Sequence, residues 1–309
     1  MKIYNQIDEI PYSKMRAIAI GAFDGVHLGH RKIIETLVAS ENESQKQKLS
    51  AMIITFEPIP RAVFNPNFKI LTTIDERLNC FETLNVNEVL VVPFNKEFAN
   101  ITAEDFVRNY LYQKIGFTKL YIGFNHSFGK NREGNYDFVK KINLPETKII
   151  PCEPIVFQDT YISSTKIRNY LINGEIENAN MFLGRKYSIA GKVVKGKQIG
   201  QKIGFPTANI IVNNQSKLVP KNGVYSCEVI IDESKRTSLK GMTNIGYRPT
   251  FYDNSEKNIE VHIFDFDEDI YGKQIEILFQ RFIREEKKFD TSDDLIEQLF
   301  NDKKNCLSR

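Results

Sequence analysis

The sequence predicts two domains of different fold class, an α/β domain with a parallel sheet followed by an antiparallel β-barrel that ends in a helix. The chain has 309 residues, about twice the length of a typical single domain. Up to about residue 150, short apolar runs alternate with longer amphipathic stretches, whereas the runs from Tyr187 onward are short and rich in β-formers. We therefore expect an α/β domain at residues 1–184 and a β domain at residues 185–309.

The elements of the first domain follow from hydrophobic periodicity, taken in chain order. Strands are predicted at residues 15–21, 51–56, 89–94 and 120–123. Helices are predicted between them at residues 27–45, 73–84 and 102–115. Because strands separated by helices form parallel sheets with both faces covered, ligands are expected at the carboxyl ends of these strands.

The second half of the chain changes in texture. Two short helical patterns, SSTKIRNYL and GEIENANMFLG, come first. The runs YSIAGKVVKG, VYSCEVII, IEVHIFDF and IEILFQRFI follow, separated by Gly, Asn, Asp and Pro clusters. This spacing favours an antiparallel sandwich or barrel. An amphipathic helix is predicted from Ser292 to Phe300, with Ser292 as its N-cap.

Composition and charge exclude several classes of protein. The chain has 42 Lys+Arg against 39 Asp+Glu, and 41% of its residues are hydrophobic, which excludes disorder. Neither half has the positive excess typical of a nucleic-acid binder, so no nucleic-acid partner is expected. No apolar run approaches the length of a membrane span, and the N-terminus lacks the apolar core of a signal peptide. We expect a cytoplasmic protein.

The cysteines favour neither a disulfide framework nor a zinc site. Cys80, Cys152, Cys227 and Cys306 lie far apart, with no CxxC pair and no histidine at ligand spacing. We interpret them as buried or incidental thiols.

The first group of residues that suggests chemistry is GAFDGVHLGH, at the end of the first predicted strand. Glycines allow a sharp turn, and the N–H groups of the following helix can bind phosphate. The candidate nucleotide-binding residues here are Gly21, Phe23, Asp24 and Gly25. His27 and His30 share one helix face, where they could stabilise charge on a phosphoryl oxygen. The alternative is a strand-to-helix turn whose histidines are capping or core residues.

A second motif, ISSTKIR, places hydroxyl groups ahead of a basic residue. Ser163, Ser164 and Thr165 at a helix start, with Arg168 one turn later, can hold nucleotide phosphates. A plain capped helix explains the same pattern.

Between these motifs lies the glycine-rich segment GFNHSFGKNREG. Phe124 and Phe128 could stack on a flat ring while Asn125 hydrogen-bonds to it. The alternative is a surface loop with two anchoring aromatic residues.

The segment GKQIGQKIGFPTANI in the second domain suggests a different phosphate-binding loop. Its candidate nucleotide-binding residues are Gly196, Gly200, Gly204 and Pro206. Backbone amides of such a loop can wrap phosphates. Thr207 and Asn209 offer the hard oxygen ligands that Mg²⁺ prefers. Glycines at barrel corners are the alternative.

The strand IEVHIFDF carries a candidate base. Glu260, His262 and Phe264 alternate with apolar residues and so lie on one face of the strand. A carboxylate within reach of a hydroxyl group can accept its proton. The alternative for Glu260 is a cross-strand ion pair, and we interpret His262 as structural.

Together these motifs resemble known families. GxFDxxHxGH with ISSTxIR resembles the nucleotidyltransferase superfamily, and GxxxGxxxGxPTAN resembles the riboflavin kinase family. Their combination over nearly the whole chain resembles the prokaryotic bifunctional riboflavin kinase/FAD synthetase family. The resemblance implies a Rossmann-like nucleotidyltransferase domain and a riboflavin kinase-like barrel, with ATP, riboflavin, FMN and FAD as ligands and Mg²⁺ accompanying ATP.

The resemblance also implies roles for single residues. Glu260 would be the kinase base, and Thr207 and Asn209 would bind Mg–ATP. His27, His30 and Arg168 would stabilise charge during FMN adenylylation, and the loop around Asn125 would hold the flavin. Two alternatives stay open, a chain that retains one of the two activities and a flavin-sensing regulator without turnover. The oligomeric state is not determined by the sequence.

Overall fold

The computed structural model describes residues 1–40, 48–124, 126–157, 159–196, 198–231, 238–247 and 257–308. The chain forms two compact units, Met1–Ser164 and Thr165–Arg309. Across the described residues, no helix combines the length and the apolar character that crossing a membrane requires.

The first unit is built on a parallel sheet. Its strands are β1 (Lys2–Tyr4), β2 (Arg16–Ile20), β3 (Ser50–Glu57), β4 (Glu88–Pro93), β5 (Lys119–Gly123) and β6 (Lys148–Cys152). Its helices are α1 (Leu28–Ala39), α2 (Pro60–Phe64), α3 (Ile74–Thr83), α4 (Ala103–Asp105) and α5 (Tyr136–Ile142). The strand order is β1-β4-β3-β2-β5-β6, and a short hairpin, β7 (Val156–Phe157) with β8 (Thr160–Tyr161), follows the sheet.

Both faces of this sheet are covered, as the sequence predicted. Ile18 and Ile20 of β2 pack in a core cluster with Phe106 and Leu111. Ala17 on the opposite face packs in a second cluster together with residues of α1 and α3. All strand pairs of the sheet are parallel, so their carboxyl ends meet at one edge. Residues of the loops at that edge form the first candidate site.

Two predicted helices differ in detail. The helix predicted at residues 27–45 ends at Ala39, because the Ser40 hydroxyl donates to the carbonyl of Leu37 at 2.6 Å and closes the last turn. Residues 41–47 lie outside the described part. The helix predicted at residues 102–115 begins as α4 and continues as a π-helix over Phe106–Ile115.

The second unit begins with two helices and forms a closed barrel. The helices are α6 (Ser164–Asn173) and α7 (Ile176–Leu183), where the sequence predicted them, and α8 (Ile199–Lys202). The strands are β9 (Tyr187–Val194), β10 (Ala208–Val212), β11 (Gly223–Ile230), β12 (Ser238–Tyr247), β13 (Lys257–Ile263) and β14 (Gln274–Arg284). They close in the order β10-β13-β12-β11-β14-β9, with antiparallel pairing throughout.

Apolar side chains at alternate positions of the strands fill the interior of the barrel. On β13, Ile259, Val261 and Ile263 are buried, whereas Glu260 between them is half-buried on the opposite face. The predicted antiparallel barrel is confirmed, and its side-chain period of two sets which residues of β13 face outward.

The last helix, α9 (Ser292–Leu307), is longer than the predicted span to Phe300. Its N-cap is Thr291 rather than Ser292, because the Thr291 hydroxyl accepts a hydrogen bond from the Asp294 N–H at 3.1 Å. The helix is held to β14 by Arg284, whose guanidinium donates to both carboxylate oxygens of Asp302, at 2.9 and 2.7 Å. Asp302 is completely buried, so α9 depends on this pair.

We predict that Asp302→Ala lowers the free energy of unfolding of the second unit by about 3 kcal/mol, because it leaves the Arg284 charge largely buried without its partner. Urea unfolding followed by circular dichroism measures the loss. Glu297→Ala, at an exposed position of the same helix, is the matched control and should change stability by less than about 0.5 kcal/mol. Equal stability of the two variants would contradict the anchoring role.

Candidate active sites

The turn that follows β2 has an unusual backbone. Phe23, Gly25 and Val26 all have positive φ angles, of 48°, 89° and 37°. Phe23 and Val26 carry side chains, so this conformation is strained and must be held by its surroundings. Strain of this kind concentrates at functional sites, which favours the ligand-binding interpretation of the turn.

A buried carboxylate holds this turn in place. Asp24 is 3% exposed, and its Oδ1 accepts hydrogen bonds from the N–H groups of Leu71 and Thr72 at 2.9 and 3.0 Å. The Thr72 hydroxyl in turn accepts from the Gly25 N–H at 2.7 Å. Asp24, predicted as a nucleotide-binding residue, therefore fixes the loop onto the segment before α3 through its side chain.

Within the first unit, a serine of the second motif contacts the turn after β2. The hydroxyl of Ser164 donates to the backbone carbonyl of Asp24 at 2.8 Å. Ser163 precedes α6, which begins at Ser164. Thr165 is exposed and Arg168 is half-buried one turn into α6, both in the second unit. Their roles at the nucleotide stay predictions.

His27 and His30 form a stacked pair at the start of α1. Their ring centroids lie 3.6 Å apart, and the His27 Nδ1 accepts from the His30 N–H at 3.2 Å. His27 is therefore the N-cap of α1 and is 6% exposed, as the capping alternative expected. The Phe23 ring contacts His30 edge-on at 5.3 Å, and it also packs close to Gly21. The pair is pre-positioned where the N-terminus of α1 attracts anions.

A buried arginine that belongs to none of the sequence motifs supports the same turn. Arg77 of α3 is fully buried, and its Nη1 donates to the carbonyls of Ala22 and Phe56 and to the Thr55 hydroxyl, at 2.9–3.0 Å. Its Nη2 donates to Glu57 Oε2 at 2.5 Å. Burial lowers the pKa of Arg77, but an arginine remains charged at neutral pH. This side chain joins the ends of β2 and β3.

The two aromatic residues of the predicted flavin loop differ in exposure. Phe128 is buried against Phe106, with ring centroids 5.7 Å apart, and bridges back to Gly134. Phe124 is 63% exposed, so it is the phenylalanine of this loop that is available to stack on a flat ring. Asn125 lies outside the described residues. Burial and the charge of Arg132 lower the pKa of His126 to about 4, so its ring is neutral.

In the barrel, three predicted side chains meet across two paired strands. Asn209 of β10 lies directly opposite Glu260 of β13 in the antiparallel register. The Thr207 hydroxyl donates to Glu260 Oε2 at 3.3 Å. The Asn258 amide, which was not among the predicted site residues, donates to Glu260 Oε1 at 2.7 Å and orients the carboxylate. Alternate residues share a strand face, so the position of Asn258 two residues before Glu260 was the available signal.

The glycine loop packs around these residues. A Cβ atom on Gly196 would lie 2.1 Å from the Asn209 Nδ2, so only glycine allows the loop to approach Asn209. At Gly200, a Cβ atom would lie 2.2 Å from the carbonyl of Phe205. Gly204 has a φ angle of +80° and open space around it. The loop therefore closes tightly over Asn209 while Gly204 remains open to a ligand.

Pro206, in the turn before β10, is held by a hydrogen bond from a histidine. The His262 Nδ1 lies 2.7 Å from the carbonyl oxygen of Pro206. Burial lowers the pKa of His262, so the neutral ring predominates at neutral pH, and Nδ1 carries the hydrogen because a carbonyl only accepts.

Comparison with known proteins finds a matching family model for each of the two parts of the chain. The family model described as FAD synthetase matches residues 10–166, and the one described as riboflavin kinase matches residues 183–308. The chain is 37% identical to a bifunctional riboflavin kinase/FMN adenylyltransferase of Listeria monocytogenes, covering 93% of this chain and 90% of the relative. It is 35% identical to the protein of that name from Bacillus subtilis, covering 94% and 91%. The chain belongs to the bifunctional riboflavin kinase/FMN adenylyltransferase family.

The family's two-part organisation agrees with a solved structure of the same fold. A crystal structure named as a macrolide-efflux protein from Streptococcus pneumoniae superposes with a TM-score of 0.89 and 28% identity, covering 99% of this chain and 98% of that one. That name is the other protein's own. Two family models matching successive parts of the chain support a flavin enzyme with two sites.

We predict that Gly196→Ala lowers kcat/KM for riboflavin phosphorylation at least about tenfold, because the new methyl group displaces the Asn209 amide. Steady-state kinetics of Gly196→Ala, Asn209→Ala and the double variant test the cause. Since Asn209→Ala removes the atoms that the methyl group would meet, the double variant should be no slower than Asn209→Ala. Additive losses in the double variant would show that Gly196 acts independently of Asn209.

Proposed function

We propose that the barrel site phosphorylates riboflavin with ATP, and that the site at the sheet edge of the first unit joins FMN to the AMP moiety of a second ATP. The chain is an enzyme of flavin cofactor biosynthesis by its family membership. The observation that supports this division is that each unit carries its own pre-positioned loop, and that the loop in the barrel lies beside the candidate base Glu260.

In the kinase reaction, Glu260 accepts the proton of the terminal ribityl hydroxyl as its oxygen attacks the γ-phosphorus of ATP. The products are FMN and ADP. Asn258 and Thr207 donate to the two carboxylate oxygens, which orients the carboxylate for this task. Most of the rate enhancement in phosphoryl transfer comes from positioning and from electrostatic stabilisation.

The donor atoms in the barrel fit Mg²⁺. Thr207 and Asn209 present a hydroxyl and an amide oxygen, which are hard ligands, beside a loop that closes over Asn209. These residues would hold Mg²⁺, which in kinases neutralises charge on the transferred phosphoryl group. Gly196, Gly200, Gly204 and Pro206 would shape the loop around the ATP phosphates.

In the adenylyltransferase reaction, a phosphate oxygen of FMN attacks the α-phosphorus of ATP and pyrophosphate leaves. The FMN phosphate is already anionic at neutral pH, so no strong base is required. His27 and His30, stacked at the N-terminus of α1, stabilise negative charge on the phosphates, with Ser163 as a further phosphate contact. Phe124 and Asn125 would hold the flavin ring.

A flavin product assay tests the proposed function. Purified protein is incubated with riboflavin, ATP and Mg²⁺, and the flavins are separated by chromatography; FMN and then FAD should appear. Accumulation of FMN without FAD would contradict the adenylyltransferase assignment. Conversion of supplied FMN with riboflavin untouched would contradict the kinase assignment. Excess EDTA should stop both steps, and added Mg²⁺ should restore them.

We predict that Glu260→Gln reduces kcat for riboflavin phosphorylation by about a hundredfold or more, because the amide cannot accept the hydroxyl proton. The same preparation should still convert FMN to FAD at the wild-type rate. Glu268→Gln, at an exposed position beyond the end of β13, is the control and should leave both rates unchanged. A normal kinase rate in Glu260→Gln would exclude the carboxylate as the base.

For the other site, we predict that His30→Ala slows FAD formation from FMN by about a hundredfold through lost charge stabilisation. Riboflavin phosphorylation should be unaffected. Glu35→Ala, at an exposed position of α1, controls for changes in helix stability. Equal loss of both activities in His30→Ala would contradict separate sites.

A further inference from the structure

His262 lies on the outward face of β13, two residues beyond Glu260, and faces the turn that leads into β10. Its side chain is 8% exposed, and its Nδ1 donates to the Pro206 carbonyl at 2.7 Å. None of the roles proposed above for residues of the barrel involves this histidine.

The hydrogen bond between His262 and Pro206 lies just outside the paired part of β10. Pairing of β10 with β13 begins at Ala208 opposite Val261, so Pro206 and Thr207 lie just before the first paired residue. Proline has no N–H group to donate, which leaves its carbonyl as the backbone atom by which the turn can be held. The bond from His262 fixes the peptide plane between Pro206 and Thr207.

The histidine ring itself is held by its neighbours. Its centroid lies 5.2 Å from that of Phe205 and 5.6 Å from that of Phe264. Aromatic packing on both sides restricts rotation of the ring, so Nδ1 stays directed at the carbonyl.

We propose that His262 is a positioning residue of the kinase site: through its bond to Pro206 it orients the turn that presents Thr207 and Asn209 to Mg–ATP. In this role it acts through that hydrogen bond and not through a contact of its own with nucleotide or flavin. The proposal rests on the proposed roles of Thr207 and Asn209. A shift of about 1 Å in groups that position a substrate can lower the rate by two orders of magnitude. Loss of the single hydrogen bond that fixes this peptide plane should therefore have a measurable effect on the kinase reaction.

Two substitutions separate the hydrogen bond from the ring packing. His262→Phe retains an aromatic ring between Phe205 and Phe264 but lacks the donor. His262→Asn loses the ring but keeps an N–H donor attached at the same side-chain position. We expect His262→Phe to raise the KM for ATP in riboflavin phosphorylation about five- to tenfold, the size expected for one lost hydrogen bond. The KM for riboflavin should stay within about twofold, and His262→Asn should stay within about threefold of the wild type for both substrates.

Two properties of the same variants serve as controls, the use of KM as the readout and the rate of FAD formation. KM does not depend on the folded fraction of a preparation, so partial unfolding of a variant does not imitate the effect. FAD formation from FMN should be unchanged in both variants. A wild-type KM for ATP in His262→Phe would overturn the proposal, as would equal impairment of the two variants or an equal rise in the KM for riboflavin. Failure of the wild-type chain to phosphorylate riboflavin would instead contradict the proposed function.

Discussion

A loop that binds phosphate must leave its own N–H groups available to the ligand, so other atoms have to hold it in shape. In the first unit, this task falls on the buried carboxylate of Asp24, which accepts from Leu71 and Thr72 while its backbone carbonyl accepts from Ser164. The strained turn and Ser164, both in the first unit, are thus held at this residue. The stacked histidine pair follows this turn directly, so the same contacts help to set its position.

The barrel meets the same requirement by other means. Strand pairing places Asn209 opposite Glu260, and the missing side chain of Gly196 lets the loop close over the amide. His262 holds the turn just before β10, which lies outside the strand pairing. The closed sheet thus carries the proposed catalytic residues, and side-chain hydrogen bonds fix the shape of the loop. Sites built in this way lose less conformational entropy when the ligand binds.

Much of both sites could be predicted from the sequence, because the motifs are local. His27 and His30 are three residues apart at a strand end, and that spacing is enough to place them at one helix start. Phe124 and Phe128 show the limit, since nothing in their spacing tells which ring is buried. Arg77 shows another limit. Its place between Ile74 and Phe81 on the apolar face of α3 signals a buried charge, but its partners Ala22 and Thr55 are distant in the chain.

The sequence by itself determined the two fold classes and the order of most elements, and it predicted the chemistry of each glycine loop. These properties depend on periodicity and turn chemistry within short windows. The tertiary structure alone decided which segments meet. Asp24 reaches Thr72 and Ser164, and Pro206 reaches His262, because sheet order and strand register bring together residues that no local pattern connects. Length predicted two domains, and the structure shows two compact units. The loop in each unit is held by contacts between residues that lie far apart in the sequence.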